Sequence, residues 1–145
     1  MEGGKAMVIE SNLPKYIDEY MKSCVDDVDD RMAMKSKIKR IYRWTKVLGK
    51  RTVRNALKII DGKRIAVFHD EGGRRPSFFK VGNETSWHPV NKIRMNAGHC
   101  NCYFFREIVM TESKAYLCQH LTALRIVHAL NIKYYSTTKD LTKEI

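Results

Sequence analysis

The stretch Cys100-Asn101-Cys102, followed after fifteen residues by Cys118-Gln119-His120, places three thiols and one imidazole in two closely spaced pairs. Three thiolates and an imidazole are a complete ligand set for a tetrahedral metal ion, and zinc takes such sets in structural sites. A shell filled by four protein ligands leaves no open position for an activated water. The pattern therefore predicts a structural Zn²⁺ site and argues against metal catalysis.

The spacing within each pair restricts the local structure. Side chains two positions apart on an α-helix diverge by about 200°, so Cys118 must precede the first regular turn and His120 must open it. In a strand, residues two apart point to the same side, so we expect Cys100 and Cys102 on a β-hairpin. His99 is a rival ligand, but adjacent residues of an extended chain face opposite sides.

Length and cysteine usage define the class of protein. The chain of 145 residues has the size of one domain. Its sequence contains no apolar run of about 18 residues and no secretory signal, which favours a cytosolic or nuclear protein. Cysteines in such reducing compartments rarely persist as disulfides, so metal binding is the better explanation of the cluster. The fourth cysteine, Cys24, is expected to be a buried thiol.

The net charge of +11 is concentrated in one part of the chain. Residues 1–30 carry 3 basic and 8 acidic side chains, residues 31–64 carry 13 and 1, and residues 65–145 carry 11 and 7. Clusters of this kind neutralise phosphates with release of counterions, so we expect DNA contacts here. The candidate residues are Arg40, Arg43, Lys46, Lys50, Arg51, Arg54 and Lys58.

Other uses of this positive charge remain open. The basic side chains could form a solvated face, bind an acidic protein partner or pair with the acidic amino-terminal third. Tyr42 and Trp44 lie among the basic residues and could either stack on bases or join the core.

Periodicity predicts helices in the first half of the chain. A short helix follows Pro14, and apolar residues from Met34 to Leu48 form one stripe of a helix that ends before Gly49. A second stripe, from Val53 to Ile60, predicts a helix that stops at Asp61-Gly62.

The remainder of the chain mixes strands with one further helix. Strands are expected over 63–69 and 76–82, joined through a Gly-Gly turn at 70–75, with more strand material at 85–88 and 91–95. Residues 103–109 fit either strand or helix, and a helix is expected from Leu117. The prediction is an α+β fold with amino-terminal helices, a small antiparallel sheet and a zinc-binding hairpin and helix.

Four segments follow from these patterns. Residues 1–30 form an acidic amino-terminal segment with a short helix, 31–95 hold the basic helices and the β-hairpin, and 96–132 hold the metal-binding unit. Residues 133–145 are predicted to be a frayed carboxyl-terminal tail. The prediction treats 31–132 as one compact unit.

The motif Cys-x-Cys-x15-Cys-x-His, followed by Leu121 and Ala123, resembles the SWIM-type zinc finger. The resemblance extends upstream in the order and length of its elements, and over about residues 38–130 it is similar to the small SWIM-domain subunit of the Shu complex. It implies that Cys100, Cys102, Cys118 and His120 are zinc ligands.

The same resemblance implies a function. It points to a nuclear, non-enzymatic factor in homologous recombination that binds a RecA-type recombinase paralogue and supports recombinase filaments on single-stranded DNA. Such a protein must expose apolar surface to its partner, and the candidates are Ile108, Val109, Leu124 and Leu130.

Two other classes stay open at this point. One is a stand-alone DNA-binding regulator that uses the basic helices. The other is a thiol redox enzyme that uses Cys100 and Cys102.

Overall fold

The fold is α+β, as the sequence predicts. The computed structural model describes residues 15–69, 76–94, 99–112, 115–132 and 135–137. Helix α1 covers residues 15–25. The other α-helices in these ranges are α2 (Met34–Tyr42), α3 (Thr45–Leu48), α4 (Lys50–Asp61) and α5 (Gln119–Leu130). A π-helix covers Phe104–Thr111, and the strands are β1 (Ile65–His69), β2 (Pro76–Val81), β3 (Asn91–Arg94) and β4 (Tyr135–Thr137).

The single helix predicted from Met34 to Leu48 is wrong, because the chain turns between α2 and α3. The backbone N–H of Trp44 donates to the carbonyl of Ile41 at 2.8 Å, and the Thr45 hydroxyl donates to the carbonyl of Tyr42 at 2.7 Å. The turn buries the Trp44 ring, whose Nε1–H donates to the Met21 carbonyl of α1 at 3.0 Å. Trp44 is therefore a core residue.

Helix α4 agrees with its sequence pattern. Gly49 has φ of 88°, a left-handed conformation that favours glycine, and it separates α3 from α4. Val53, Ala56 and Ile59 of α4 are buried, and this helix packs against α5. Helix α4 ends at Asp61, next to Gly62, where the sequence predicts the stop.

The sheet has the strand order β3-β2-β1-β4. The antiparallel pairing of β1 with β2 and of β2 with β3 confirms the predicted sheet, while the turn predicted at 70–75 lies outside the described residues. The frayed tail predicted over 133–145 is wrong at Tyr135–Thr137, because these residues form β4, which pairs in parallel with β1. The strand material expected at 85–88 is not strand but irregular chain between β2 and β3.

The core lies between the sheet and α5. Cross-strand partners Val67, Phe79 and Ile93 form one buried row, and Ile65, Val81 and Asn91 form the next. Helix α5 buries eight of its twelve residues. At its carboxyl end the buried ammonium of Lys37 donates to the Leu130 carbonyl at 3.5 Å. No helix in the described part of the chain is long and apolar enough to span a bilayer.

We predict that Trp44→Ala lowers the free energy of unfolding by about 3 to 5 kcal/mol, because it removes a buried ring and leaves a cavity between α1 and α3. Denaturant unfolding of the metal-loaded protein measures this change. Tyr42→Ala is the matched control, since Tyr42 is 52% exposed. Its effect should stay within about 0.5 kcal/mol, and equal losses in the two variants would contradict the assignment of Trp44 to the core.

Candidate metal centre

Cys118 and His120 lie at the start of α5, as the sequence predicts. Cys118 is the N-cap, with extended dihedral angles, and His120 is in the first turn. The N–H of Leu121 donates to Cys118 Sγ at 3.5 Å, and the N–H of Thr122 donates to the Cys118 carbonyl at 3.0 Å. The amino end of α5 thus holds the Cys118 sulfur at the positive end of the helix dipole, a position that suits the thiolate of a metal-bound cysteine.

Cys100 and Cys102 lie in irregular chain that leads into the π-helix. The hairpin expected at this pair does not occur among the described residues, and residues 95–98 lie outside them. Helical hydrogen bonding begins directly after the pair. The N–H of Phe105 donates to Cys102 Sγ at 3.3 Å, and the N–H of Arg106 donates to the Cys102 carbonyl at 3.1 Å. Cys102 therefore receives a cap-like hydrogen bond similar to that of Cys118.

The four side chains converge. The sulfur atoms of Cys100, Cys102 and Cys118 and a ring nitrogen of His120 all lie within 4.8 Å of one another. His120 Nδ1 is 3.8 Å from Cys100 Sγ. Tetrahedral zinc with bonds of about 2.0 to 2.3 Å separates its ligand atoms by about 3.5 to 3.8 Å. The cluster can therefore hold a metal ion after a small contraction.

Asn83 orients the His120 ring by a hydrogen bond and Asn91 packs beside it, and neither contact is predicted from the sequence. His120 Nε2 lies 2.9 Å from Asn83 Oδ1, so a proton on Nε2 is donated to Asn83 and Nδ1 is left free for a metal. The Asn91 amide lies 3.0 Å from the same nitrogen. The sheet positions Asn91, because this residue continues the buried row formed by Ile65 and Val81.

Gly82 permits the loop that carries Asn83. A Cβ at Gly82 would lie 2.9 Å from both the Ser86 carbonyl oxygen and the Trp87 Cα, too close for any other residue. The N–H of Asn83 also donates to the Ser86 carbonyl at 2.7 Å. The sequence shows only a Gly82-Asn83-Glu84 turn, so its link to the metal centre depends on the tertiary fold.

The hydrogen bonds among the three thiols shift their pKa values in opposite directions. A hydrogen bond to Cys102 raises the pKa of Cys100 to about 11. Hydrogen bonds from Cys100 and Cys118 hold the pKa of Cys102 well below its usual range. Hydrogen bonds to Cys100 and Cys102 raise the pKa of Cys118. Because the pKa values of Cys100 and Cys118 are raised, metal binding at these thiols releases protons.

The other cysteine and the rival histidine lie outside this cluster. Cys24 is buried among apolar side chains, as expected. The His99 ring packs edge-on against Phe105, with centroids 5.0 Å apart. Among the described residues, the metal-ligand group comprises only the four that the motif names.

The basic candidates divide into two groups. Arg40 forms an ion pair within the chain, because its Nε and one terminal nitrogen donate to the Asp27 carboxylate at 2.9 and 2.8 Å. This pairing lowers the pKa of Asp27. The acidic amino-terminal segment thus uses one of the seven predicted side chains. The other six are exposed, namely Arg43, Lys46, Lys50, Arg51, Arg54 and Lys58.

The predicted partner surface requires a correction. Leu124 is 6% exposed and Leu130 is 1% exposed, because α5 is buried between α4 and the sheet. Ile108 and Val109 are half-buried on the π-helix. The larger exposed apolar side chains of this region are Tyr103, Phe104 and Met110, which we call the apolar patch.

Comparison of the chain with models of known families, with curated proteins and with solved structures gives no match. The SWIM resemblance accordingly rests on the motif and the order of elements in the sequence.

We predict that Cys118→Ser abolishes metal binding and the cooperative melting of the protein. The substitution removes one thiolate ligand, while the serine hydroxyl can still cap α5, so the loss reports the metal and not the helix end. Metal content per chain and thermal unfolding measure the two effects. Cys24→Ser, a second buried cysteine changed in the same way, should keep its metal even if it melts at a lower temperature. A Cys118→Ser protein with a full metal complement would contradict the ligand assignment.

Proposed function

We propose that the chain is a SWIM-type zinc protein and a non-enzymatic adaptor in homologous recombination. In this proposal it binds a RecA-type recombinase paralogue in the nucleus and helps to assemble or stabilise recombinase filaments on single-stranded DNA. The observation that carries the proposal is the convergence of Cys100, Cys102, Cys118 and His120 in the order of the SWIM motif. Three thiolates and one imidazole suit zinc better than magnesium or calcium, which prefer oxygen ligands.

Zinc has a structural role in this proposal. Four protein ligands complete a tetrahedral shell, so the ion supplies folding free energy. Structural zinc contributes about 10 to 16 kcal/mol in zinc-finger peptides, and a whole domain is stable by about 5 to 15 kcal/mol. The metal therefore decides whether the unit formed by the π-helix and α5 is folded.

The apolar patch supports an adaptor role. Tyr103 is 70% exposed and Met110 is 60% exposed, at opposite ends of the π-helix, and Phe104 is 37% exposed beside Tyr103. Tyrosine, phenylalanine and methionine are enriched at protein interfaces, where they supply large contact areas. We assign the partner surface to this patch in place of Leu124 and Leu130.

The exposed charges of α4 support contact with DNA. Arg51, Arg54 and Lys58 recur at offsets of three and four residues, so they lie on one side of the helix, and we call them the basic stripe. Such a row can follow a phosphate backbone. The alternative function, a stand-alone DNA-binding regulator, would use the same stripe without a protein partner.

Co-purification from a native extract tests the adaptor role. We expect the tagged chain to recover a RecA-type ATPase in fixed ratio, together with about one zinc ion per chain. Tyr103→Ala/Met110→Ala should lose the ATPase and keep the zinc. The matched control is Tyr16→Ala/Met34→Ala, because these side chains are also exposed, at 58% and 46%.

Two results of this co-purification would contradict the proposal. A zinc-loaded chain that recovers no such ATPase would favour the stand-alone regulator. A chain without zinc whose Cys100 and Cys102 cycle between dithiol and disulfide would favour a thiol redox enzyme.

A charge reversal tests the DNA contact. We expect the affinity for single-stranded DNA to fall steeply between about 50 and 200 mM salt, and Arg51→Glu/Arg54→Glu to lower it by about tenfold or more at the lower salt. Fluorescence anisotropy with a labelled oligonucleotide measures both effects. Lys22→Glu/Arg31→Glu makes the same change of charge at exposed positions outside α4. Equal losses in the two variants, or a flat salt response, would point to an acidic protein partner.

A further inference from the structure

A cavity of 340 Å³ lies between the amino half of α4, the loop after β2 and the metal centre. Small-molecule sites have volumes of about 300 to 1,000 Å³, so this cavity suits a small ligand or one group of a larger one. Cys102 and His120 form part of its wall, so the cavity borders the metal centre. The function proposed above assigns no ligand to this cavity, although Arg51 and Phe104 of its wall belong to the surfaces that it uses.

Three polar side chains that line the cavity are joined by hydrogen bonds. The Asn55 amide nitrogen donates to Gln119 Oε1 at 2.9 Å, and Gln119 Nε2 donates to Glu84 Oε2 at 2.8 Å. All three residues line the cavity. The bonds fix the rotamers of side chains from three separate elements, so the cavity has a defined pattern of hydrogen-bonding groups. A carboxylate can accept about four hydrogen bonds, which leaves Glu84 with capacity for a ligand donor.

The same cavity combines an aromatic ring with a cation. Phe104 of the apolar patch and Arg51 of the basic stripe both line it. Aromatic rings that stack on bases, next to cations that bind the backbone, are the usual elements of single-strand binding. An isolated phosphate would use Arg51 but neither Phe104 nor the carboxylate of Glu84. A nucleotide would use all three.

We propose that the cavity binds one unstacked nucleotide of a DNA single strand that follows the basic stripe. The base stacks on Phe104 and donates its exocyclic amino group to Glu84, while Arg51 contacts the adjoining phosphate. Carboxylates accept from the amino group of cytosine in direct readout, and a keto group at the same position would meet a second acceptor. The cavity therefore favours cytosine over uracil. This inference rests on the DNA contact of the proposed function.

Oligonucleotides of deoxycytidine and of deoxyuridine test the inference, because their pyrimidine rings differ in whether position 4 carries an amino or a keto group. We expect the zinc-loaded full chain to bind the cytidine strand about tenfold more tightly, as a charge-assisted hydrogen bond allows. Glu84→Met removes both carboxylate oxygens and should abolish the preference. Glu19→Met, the same change at an exposed position of α1, should leave the preference unchanged.

A second pair of variants separates stacking from hydrogen bonding. Phe104→Leu should lower the affinity for both oligonucleotides by about fivefold or more. The ratio of the two affinities should stay unchanged. Tyr16→Leu is the control, because Tyr16 is an exposed aromatic side chain of α1 outside the cavity. Zinc content is measured for every variant, so that a damaged metal centre is recognised.

Three other outcomes would each overturn the inference, and they differ in what they imply for the proposed function. Equal affinity for the two strands, with the loss in Arg51→Glu/Arg54→Glu intact, overturns the nucleotide site and leaves the DNA contact standing. The absence of any DNA binding by the chain and by its complex with the ATPase overturns both. If Glu84→Met loses the ATPase but keeps the preference for the cytidine strand, the cavity belongs to the interface with the protein partner. That result overturns the nucleotide site.

Discussion

The convergence of two short residue pairs on one point is the constraint on which the rest of the structure depends. Cys118 and His120 are fixed by the first turn of α5, whereas Cys100 and Cys102 are fixed by the chain that enters the π-helix. Neither pair is sufficient for a metal site. Bringing them together requires that α5 pack against the sheet, since Asn83 of the loop between β2 and β3 and Asn91 of β3 contact the His120 ring from the other side.

Parts of this arrangement follow from the sequence because they are local. A Cys-x-His pair can reach one ion from a helix only if its cysteine is the N-cap, and the structure has this geometry. The faces of α4 and the antiparallel pairs of the sheet also follow, because side-chain periodicity and strand length carry this information. In each case the deciding contacts lie within a few residues of one another or within one hairpin.

The features that the sequence analysis missed depend on contacts between distant residues. The break between α2 and α3 follows from the burial of Trp44 against Met21, and β4 pairs in parallel with a strand about seventy residues earlier. The orientation of His120 depends on Asn83, whose loop requires Gly82. The burial of Leu124 and Leu130 depends on how many sides of α5 are covered. Hydrophobic periodicity indicates an apolar face but not the number of neighbours that cover it.

The residues next to the ligands connect the metal centre to the surface. Gln119 lies between Cys118 and His120, and its side chain bonds to Asn55 and Glu84. Phe104 comes two residues after Cys102 and belongs both to the cavity and to the apolar patch. A metal that fixes the backbone at the ligands therefore also fixes these neighbours, because one residue of chain leaves few rotatable bonds between them. A metal ion held by these four residues would in this way also position the side chains that line the neighbouring cavity.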